Sequence, residues 1–450
     1  MDFQTFRQLA AQEAAALHIE EYELYYELVE SASASAFLHE LNGFSDSSEG
    51  GVCLRCLVNG KMGYASTQEL SGDSAKALVR RAVDNASVLE KEEPEFLACG
   101  GQSYQAAATN DAPIAGADTL RKAALAGQEA LYAQPGVVDG SETEAFAERV
   151  SIAISNSKGL DLRYENTVSG AALSAVVSDG REDGEKANKY RIRLGELEGL
   201  DLDAAASEAA DEARASLGAG VAPTGAMPVV FSADAMSQIL GTYYVVFSSE
   251  NAQKGLSLLK DKEGTAIAAP AVTLVDDPFY EKSAMPMPFD AEGSPARKKN
   301  VIENGVLKTL LYNLSTAAAA SKETTGNAAK AGYDSKIGVR PFTMYLESGS
   351  LTQEQLLEKA RNGVLITSLG GLHAGANTIS GDFSLQSSGF LIEDGKKAAP
   401  VRSFTVAGSF FTLLKNITAI ADDVKTPASP SATAFVSPSV LVEGLSVAGK

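Results

Sequence analysis

Histidine and cysteine are scarce, three of each in 450 residues, and tryptophan is absent. The cysteines, Cys53, Cys56 and Cys99, cannot all pair within one chain, so a reducing compartment, the cytoplasm by default, is expected. Cys53-x-x-Cys56 has no second Cys or His pair at matching spacing, which excludes a conventional structural zinc site. In a regular strand the two thiols point to opposite faces and are expected to be buried as small hydrophobes.

The histidines are His18, His39 and His373. A helical zinc hydrolase needs two imidazoles about one turn apart and a Glu between them to activate water. His39-Glu40 begins such a pattern, but Gly43 and Phe44 stand where the second ligand would fall. A Ser-His-Asp arrangement would need His373 as its base, and no Gly-x-Ser-x-Gly elbow is present. The glycine-rich stretches 218–225 and 326–332 lack the Gly-Lys-Ser/Thr ending and the Gly-x-Gly-x-x-Gly spacing of phosphate cradles. Asp276-Asp277 and Asp422-Asp423 read as caps or solvated turns, with no EF-hand pattern around them.

Positive charge is also short. The formal charge is -20, and the densest basic cluster is Arg297-Lys298-Lys299. Phosphate backbones are bound by Lys and Arg, so direct nucleic-acid binding is not expected. No long apolar run appears: residues 1–30 lack a signal-peptide h-region, and 426–442 are interrupted by Pro427, Pro430 and Pro438. No membrane span is expected. The balance of 45% hydrophobic and 21% charged residues is that of a folded protein.

Its organisation predicts an α+β fold of mixed, mainly antiparallel sheets with flanking helices, in two to three units. The units are an N-terminal α+β domain at 1–98, a central α+β domain at 112–218 and a β-rich C-terminal domain at 226–450. The first should hold an amphipathic helix over the first seventeen residues and a long strand from Tyr22 with Glu21, Glu23 and Glu27 on a solvated face. A hairpin at Asn59-Gly60 and a helix over 71–89 complete it, and a linker over 92–113 follows. The second unit reads as helix 117–132, strands near 147–154, 161–164 and 171–177, and helix 202–217. The third reads as strand 229–232, helix 233–247, hairpins at Asn304-Gly305 and Asp394-Gly395, helices over 353–361 and 411–419, and strands 343–346, 389–392 and 401–407.

Residues 370–384 form the best functional candidate. Glycines there let the backbone approach a ligand, and His373, Asn377, Ser380, Gly381, Asp382 and Ser384 are the candidate substrate-binding residues. A tight structural reversal is the competing reading; in the functional one, exposed amides grip an extended peptide by strand addition.

Several segments together resemble the TldD/PmbA family, long labelled modulators of DNA gyrase. They are Gly51-Val52-Cys53-Leu54-Arg55, residues 59–67, Asn156-Ser157-Lys158-Gly159, Phe289-Asp290-Ala291-Glu292-Gly293, residues 302–307 and Thr325-Gly326-Asn327-Ala328. Residues 375–384, 389–395 and 438–449 resemble the PmbA, or TldE, branch in particular. The resemblance implies a cytoplasmic peptidase assembly in which a TldD subunit holds zinc on a His-Glu-x-x-x-His helix and a PmbA subunit pairs with it. It further implies roles in maturing small modified peptides and clearing small unfolded proteins, the gyrase link being indirect. In the helix after Val229-Val230-Phe231, where the zinc branch carries its motif, this chain reads Gly241-Thr242-Tyr243-Tyr244-Val245-Val246-Phe247.

The expectation is therefore a metal-free, non-catalytic subunit with no cofactor of its own, zinc residing in a TldD-like partner. Its partners would be that subunit in a heterodimer, or a second copy in a homodimer, and an unfolded peptide. Two rivals remain at this point: a stand-alone homodimeric binding protein, and an autonomous hydrolase built on His373.

Overall fold

In the computed structural model every residue is described except 91–94, 182–183, 428 and 450. Glu92, Glu93 and Pro94 of the expected linker, and Ala428 of the proline-interrupted stretch, thus lie outside the described residues.

Asp2 accepts a hydrogen bond from the Thr5 amide at 2.7 Å and so caps α1 (Phe3–Ala16). Then come β1 (Glu21–Phe37), β2 (Glu40–Val58) and β3 (Lys61–Thr67). Asn59 and Gly60 join β2 to β3 with φ of 48° and 77°, the positive pair that a type I′ turn requires. Ser71 opens α2 (Gly72–Ser87) with a capping box. The order continues with α3 (Ala117–Tyr132), β4 (Glu142–Asn156), β5 (Asp161–Ser178), β6 (Lys186–Leu194) and α4 (Leu202–Ala215).

These six strands make one antiparallel sheet in the order β3-β2-β1-β4-β5-β6, so the first two units share it. β1 pairs with β4 from Glu23↔Asn156 to Phe37↔Glu142. The strand segments expected at 161–164 and 171–177 are one strand, β5, and β6 is an edge strand whose lysines and arginines hid it from a hydrophobicity pattern.

All four helices cover one face of the sheet, meeting Leu24, Ala32, Ala34 and Ala36 of β1 and Ala171 to Val177 of β5. The opposite face of β1 corrects the expectation of a solvated side: Glu23 is 2% exposed and Tyr25 is 7% exposed. There Tyr25, Ile154 and Tyr164 pack against Met285, Met287, Phe289 and Phe342 of the third unit. A period-two pattern reads Glu23 as outward-facing; Arg55 compensates its charge and lets it be buried.

The third unit begins with β7 (Gly225–Phe231), α5 (Ala233–Tyr243), α6 (Ser249–Gln253), β8 (Leu274–Asp277), β9 (Lys299–Glu303), β10 (Val306–Leu307) and α7 (Leu314–Ala319). Next are β11 (Ala328–Ala329), β12 (Gly338–Val339), β13 (Thr343–Leu346), α8 (Gln353–Ala360), β14 (Gly363–Gly370), α9 (Leu372–Gly375), β15 (Asp382–Glu393) and β16 (Lys396–Ser409). It ends with α10 (Phe410–Lys415), β17 (Ile417–Ile420), β18 (Ala434–Val436) and β19 (Val440–Ala448). The helix expected over 411–419 stops at Lys415, and β-branched Ile417 opens a strand instead.

One sheet here runs β16-β15-β14-β7-β19-β17, with β14 and β7 parallel. β19 also pairs back onto β16 through Thr405↔Ala448, Val406↔Val447 and Ala407↔Ser446, which closes five strands into a ring. A second sheet, β10-β9-β8-β13-β18, lies beside it. α5 contributes Met236, Ile239, Leu240 and Tyr243 to the core between them. Among the described residues no helix is long and apolar enough to cross a membrane.

Candidate functional site

Ser232 accepts a hydrogen bond from the Ala235 amide at 3.3 Å and starts α5, whose apolar residues face the core down to Tyr243. Tyr243 is fully buried, and its ring stacks on Phe410 with centroids 4.6 Å apart and planes 4° from parallel. Its hydroxyl donates to the Asp382 carbonyl at 2.8 Å. Burial pushes the phenol up to about 12, so it is a neutral donor. The end of α5 is thereby fixed to the first residue of β15, which places residues 370–384 against this helix.

Within that segment Asn377, Ser380, Gly381 and Asp382 come together in a reversal. Asn377 Oδ1 accepts from the Ile379 and Ser380 amides at 2.9 and 3.1 Å, and the Asn377 amide donates to the Asp382 carbonyl at 2.8 Å. Ser380 Oγ donates to Asp382 Oδ2 at 2.8 Å. Gly381 has φ of +84°, and a Cβ there would come within 2.5 Å of the Phe411 ring, so glycine is required. Gly375 packs so tightly on β15 that a Cβ would stand 2.3 Å from the Ser384 carbonyl oxygen. The His373, Asn377, Asp382 and Ser384 side chains are exposed, and the His373 side chain makes no hydrogen bond or ion pair among the described residues. The result is a rigid, self-bonded loop that presents short polar groups outward.

A second constellation escaped the sequence reading as a site. Arg55 Nε donates to Glu23 Oε1 at 2.8 Å, and Nη2 lies 2.8 Å from the same oxygen without forming a hydrogen bond of its own. Nη1 lies 3.7 Å from Glu292 Oε1 and 3.9 Å from Glu95 Oε2. Asn156 Nδ2 donates to Glu23 Oε2 at 3.3 Å and to the Ala98 carbonyl at 2.8 Å. Asp290 accepts from the amides of Glu292, Ser294 and Ala328 at 2.9 to 3.0 Å, and Glu292 Oε2 accepts from the Leu314 amide at 2.8 Å. Desolvation raises the pKa of both Asp290 and Glu292, and their mutual repulsion adds to the shift at Glu292. The three amides hold the Asp290 charge better, so Glu292 keeps its proton longer. The signal for this cluster was present: Arg55, Asn156, Asp290 and Glu292 all lie in the motif segments quoted above.

Asp276 ties the neighbouring sheet together. It is fully buried and accepts from the Phe342 amide at 2.7 Å, Asn327 Nδ2 at 2.8 Å and Lys299 Nζ at 3.0 Å, as a structural hub.

Among the described residues no zinc ligand set is assembled. α5 carries no histidine, His39 stacks on Tyr132 with centroids 3.9 Å apart, and His18 follows α1. Among the described residues no group of three or more His, Cys, Asp and Glu is disposed to hold a metal. Cys53 and Cys56 are buried and free, on opposite faces of β2.

The PmbA/TldA metallopeptidase domain 1 matches residues 22–86, its central domain 112–217 and its C-terminal domain 224–449. The chain belongs to the PmbA/TldD metallopeptidase family. A metalloprotease PmbA homolog of Haemophilus influenzae is 27% identical over 409 residues, covering 88% of this chain and 86% of that protein. A candidate modulator of DNA gyrase from Thermotoga maritima MSB8 is 30% identical, with a TM-score of 0.89 over 99% of this chain and 100% of its own. TldE of Thermococcus kodakarensis, at 22% identity, shares the fold with a TM-score of 0.85 over 98% of this chain and 99% of its own. As a PmbA/TldD member the chain matches the first, central and C-terminal domain models of the family, and its α5 carries no histidine.

Proposed function

We propose that this chain is the metal-free subunit of a cytoplasmic two-chain zinc peptidase acting on small unfolded or modified peptides. It pairs with a TldD-like chain that holds the metal, and its 370–384 segment helps to hold the peptide. The observation that carries the reading is Tyr243: the helix on which the zinc branch bears its motif is closed here by a buried phenol, stacked on Phe410 and bonded to Asp382. Where imidazoles would be required, this helix has aromatic packing. The reversal beside it, with outward-facing His373, Asn377, Asp382 and Ser384, supports a binding role.

Mixing tests this directly. The chain, a partner bearing the His-Glu-x-x-x-His helix, and the two together would be incubated with an unstructured peptide, with cleavage followed by mass spectrometry. Cleavage by the pair well above that of either chain is expected. A partner as active alone as in the pair contradicts the proposal, as does cleavage by this chain alone.

A further inference from the structure

The sheet shared by the first two units has two outer edges of opposite character. On one, β6 carries Lys186, Lys189, Arg191 and Arg193, and the two arginines are engaged by Glu208 and Glu212 of α4. Cations along an edge are a common guard against pairing with a foreign strand. The other edge is β2, and β3 covers it only from Val52 to Val58. From Glu40 to Gly50, β2 pairs with β1 alone, and each residue from Glu40 to Glu49 is exposed. Alternate residues of a strand turn their amide and carbonyl groups to opposite sides, so roughly half of this stretch offers its backbone groups outward.

The side chains on that edge have a consistent chemistry. Glu40–Val58 has no cation until Arg55, whereas its uncovered part carries Glu40, Asp46 and Glu49, none ion-paired among the described residues. Beside them Leu38 and Leu41 are 46% and 44% exposed, and Phe44, 42% exposed, has the Arg121 guanidinium of α3 4.9 Å from its ring centroid. A second copy meeting this edge antiparallel in full overlap would set Glu40 opposite Gly50, Leu41 opposite Glu49 and Phe44 opposite Asp46, so no carboxylate would meet a cation and two edges of the same charge would be brought together, which opposes self-pairing. A strand bearing Lys or Arg would meet complementary charge, open hydrogen-bonding groups and apolar side chains to cover.

We infer that the unpaired edge of β2, from Glu40 to Gly50, docks an extended, cationic segment of another polypeptide by strand addition. This edge is distinct from the 370–384 segment, and the inference stands whether or not that segment binds peptide.

Fluorescence anisotropy on the full chain tests it with three labelled ten-residue probes: alternating Lys-Val, alternating Glu-Val, and Lys-Val with every backbone amide N-methylated. The Lys-Val peptide is expected to bind and the Glu-Val peptide not to. N-methylation, which keeps charge and removes donors, should weaken binding at least about tenfold, since each lost backbone bond counts. Asp46→Lys with Glu49→Lys should also weaken it at least about tenfold, and Asp111→Lys, on an exposed loop elsewhere, should leave it unchanged. Equal binding of the two charge types, undiminished binding of the methylated probe, undiminished binding by the double variant or no binding at all would overturn the inference. So would a dimer, seen in sedimentation, that Asp46→Lys with Glu49→Lys dissociates, because the edge would then belong to a second copy.

Discussion

Glu23 and Arg55 are direct cross-strand partners in the β1–β2 register, joined at 2.8 Å, and they face the third unit rather than solvent. Their position makes the pair a fastening between the shared sheet and the loop carrying Asp290 and Glu292.

Removing one member of a buried pair leaves the other charge uncompensated, at a cost of about 3–5 kcal/mol. Arg55→Met is therefore expected to lower unfolding free energy by that order, measured by urea denaturation. Glu23→Leu combined with Arg55→Met should lower it by less than Arg55→Met alone, because no orphaned Glu23 charge remains. A double variant at least as destabilised as the single would contradict this account of the pair.

Glu292 makes stability depend on pH in a defined direction. Its folded pKa is raised above the ordinary 4.5 by burial and by the Asp290 charge, so the unfolded chain loses this proton first. Its contribution is thus full in acid and is lost as pH rises through the raised folded value. Thermal melts from about pH 5 to about pH 9 should show wild-type stability falling relative to Glu292→Gln, with the two nearly equal at the acid end. Parallel curves would count against a buried, protonated Glu292.

Tyr243 contributes packing and one hydrogen bond, and these separate by substitution. Tyr243→Phe loses only the bond to the Asp382 carbonyl, a change of about 0.5–1.5 kcal/mol. Tyr243→Ala also opens a cavity beside Phe410, for a loss of about 3–5 kcal/mol. Chemical denaturation of the two variants would give similar values if the ring were not a core element.

The thiols should differ in reactivity. Cys99 is exposed, whereas burial raises the Cys53 thiol and pushes the Cys56 thiol up to about 11. A chromogenic disulfide reagent at neutral pH is expected to modify one thiol of the native chain rapidly and the other two only on unfolding. Rapid reaction of all three would show that β2 opens readily.

Much of the architecture was written locally. Asn59-Gly60, Asn304-Gly305 and Asp394-Gly395 encode the positive φ of their turns, and α3 and β13 have the bounds their periodicity predicts. Burial that depends on a distant partner was not local. Glu23 is hidden only because Arg55, thirty-two positions away, lies opposite it, and two expected units share a sheet only because β1 meets β4. The 370–384 segment stood out by composition, but the bond from Tyr243 to Asp382 that fixes it to α5 spans 139 positions and leaves no short-range trace.

The most direct test of the central claim is the metal content of the isolated chain, measured by elemental analysis after exhaustive dialysis against buffer containing trace zinc. A chain whose α5 is closed by Tyr243 should retain far less than one equivalent. One tightly held equivalent of zinc, together with peptide cleavage in the absence of any partner, would contradict the account.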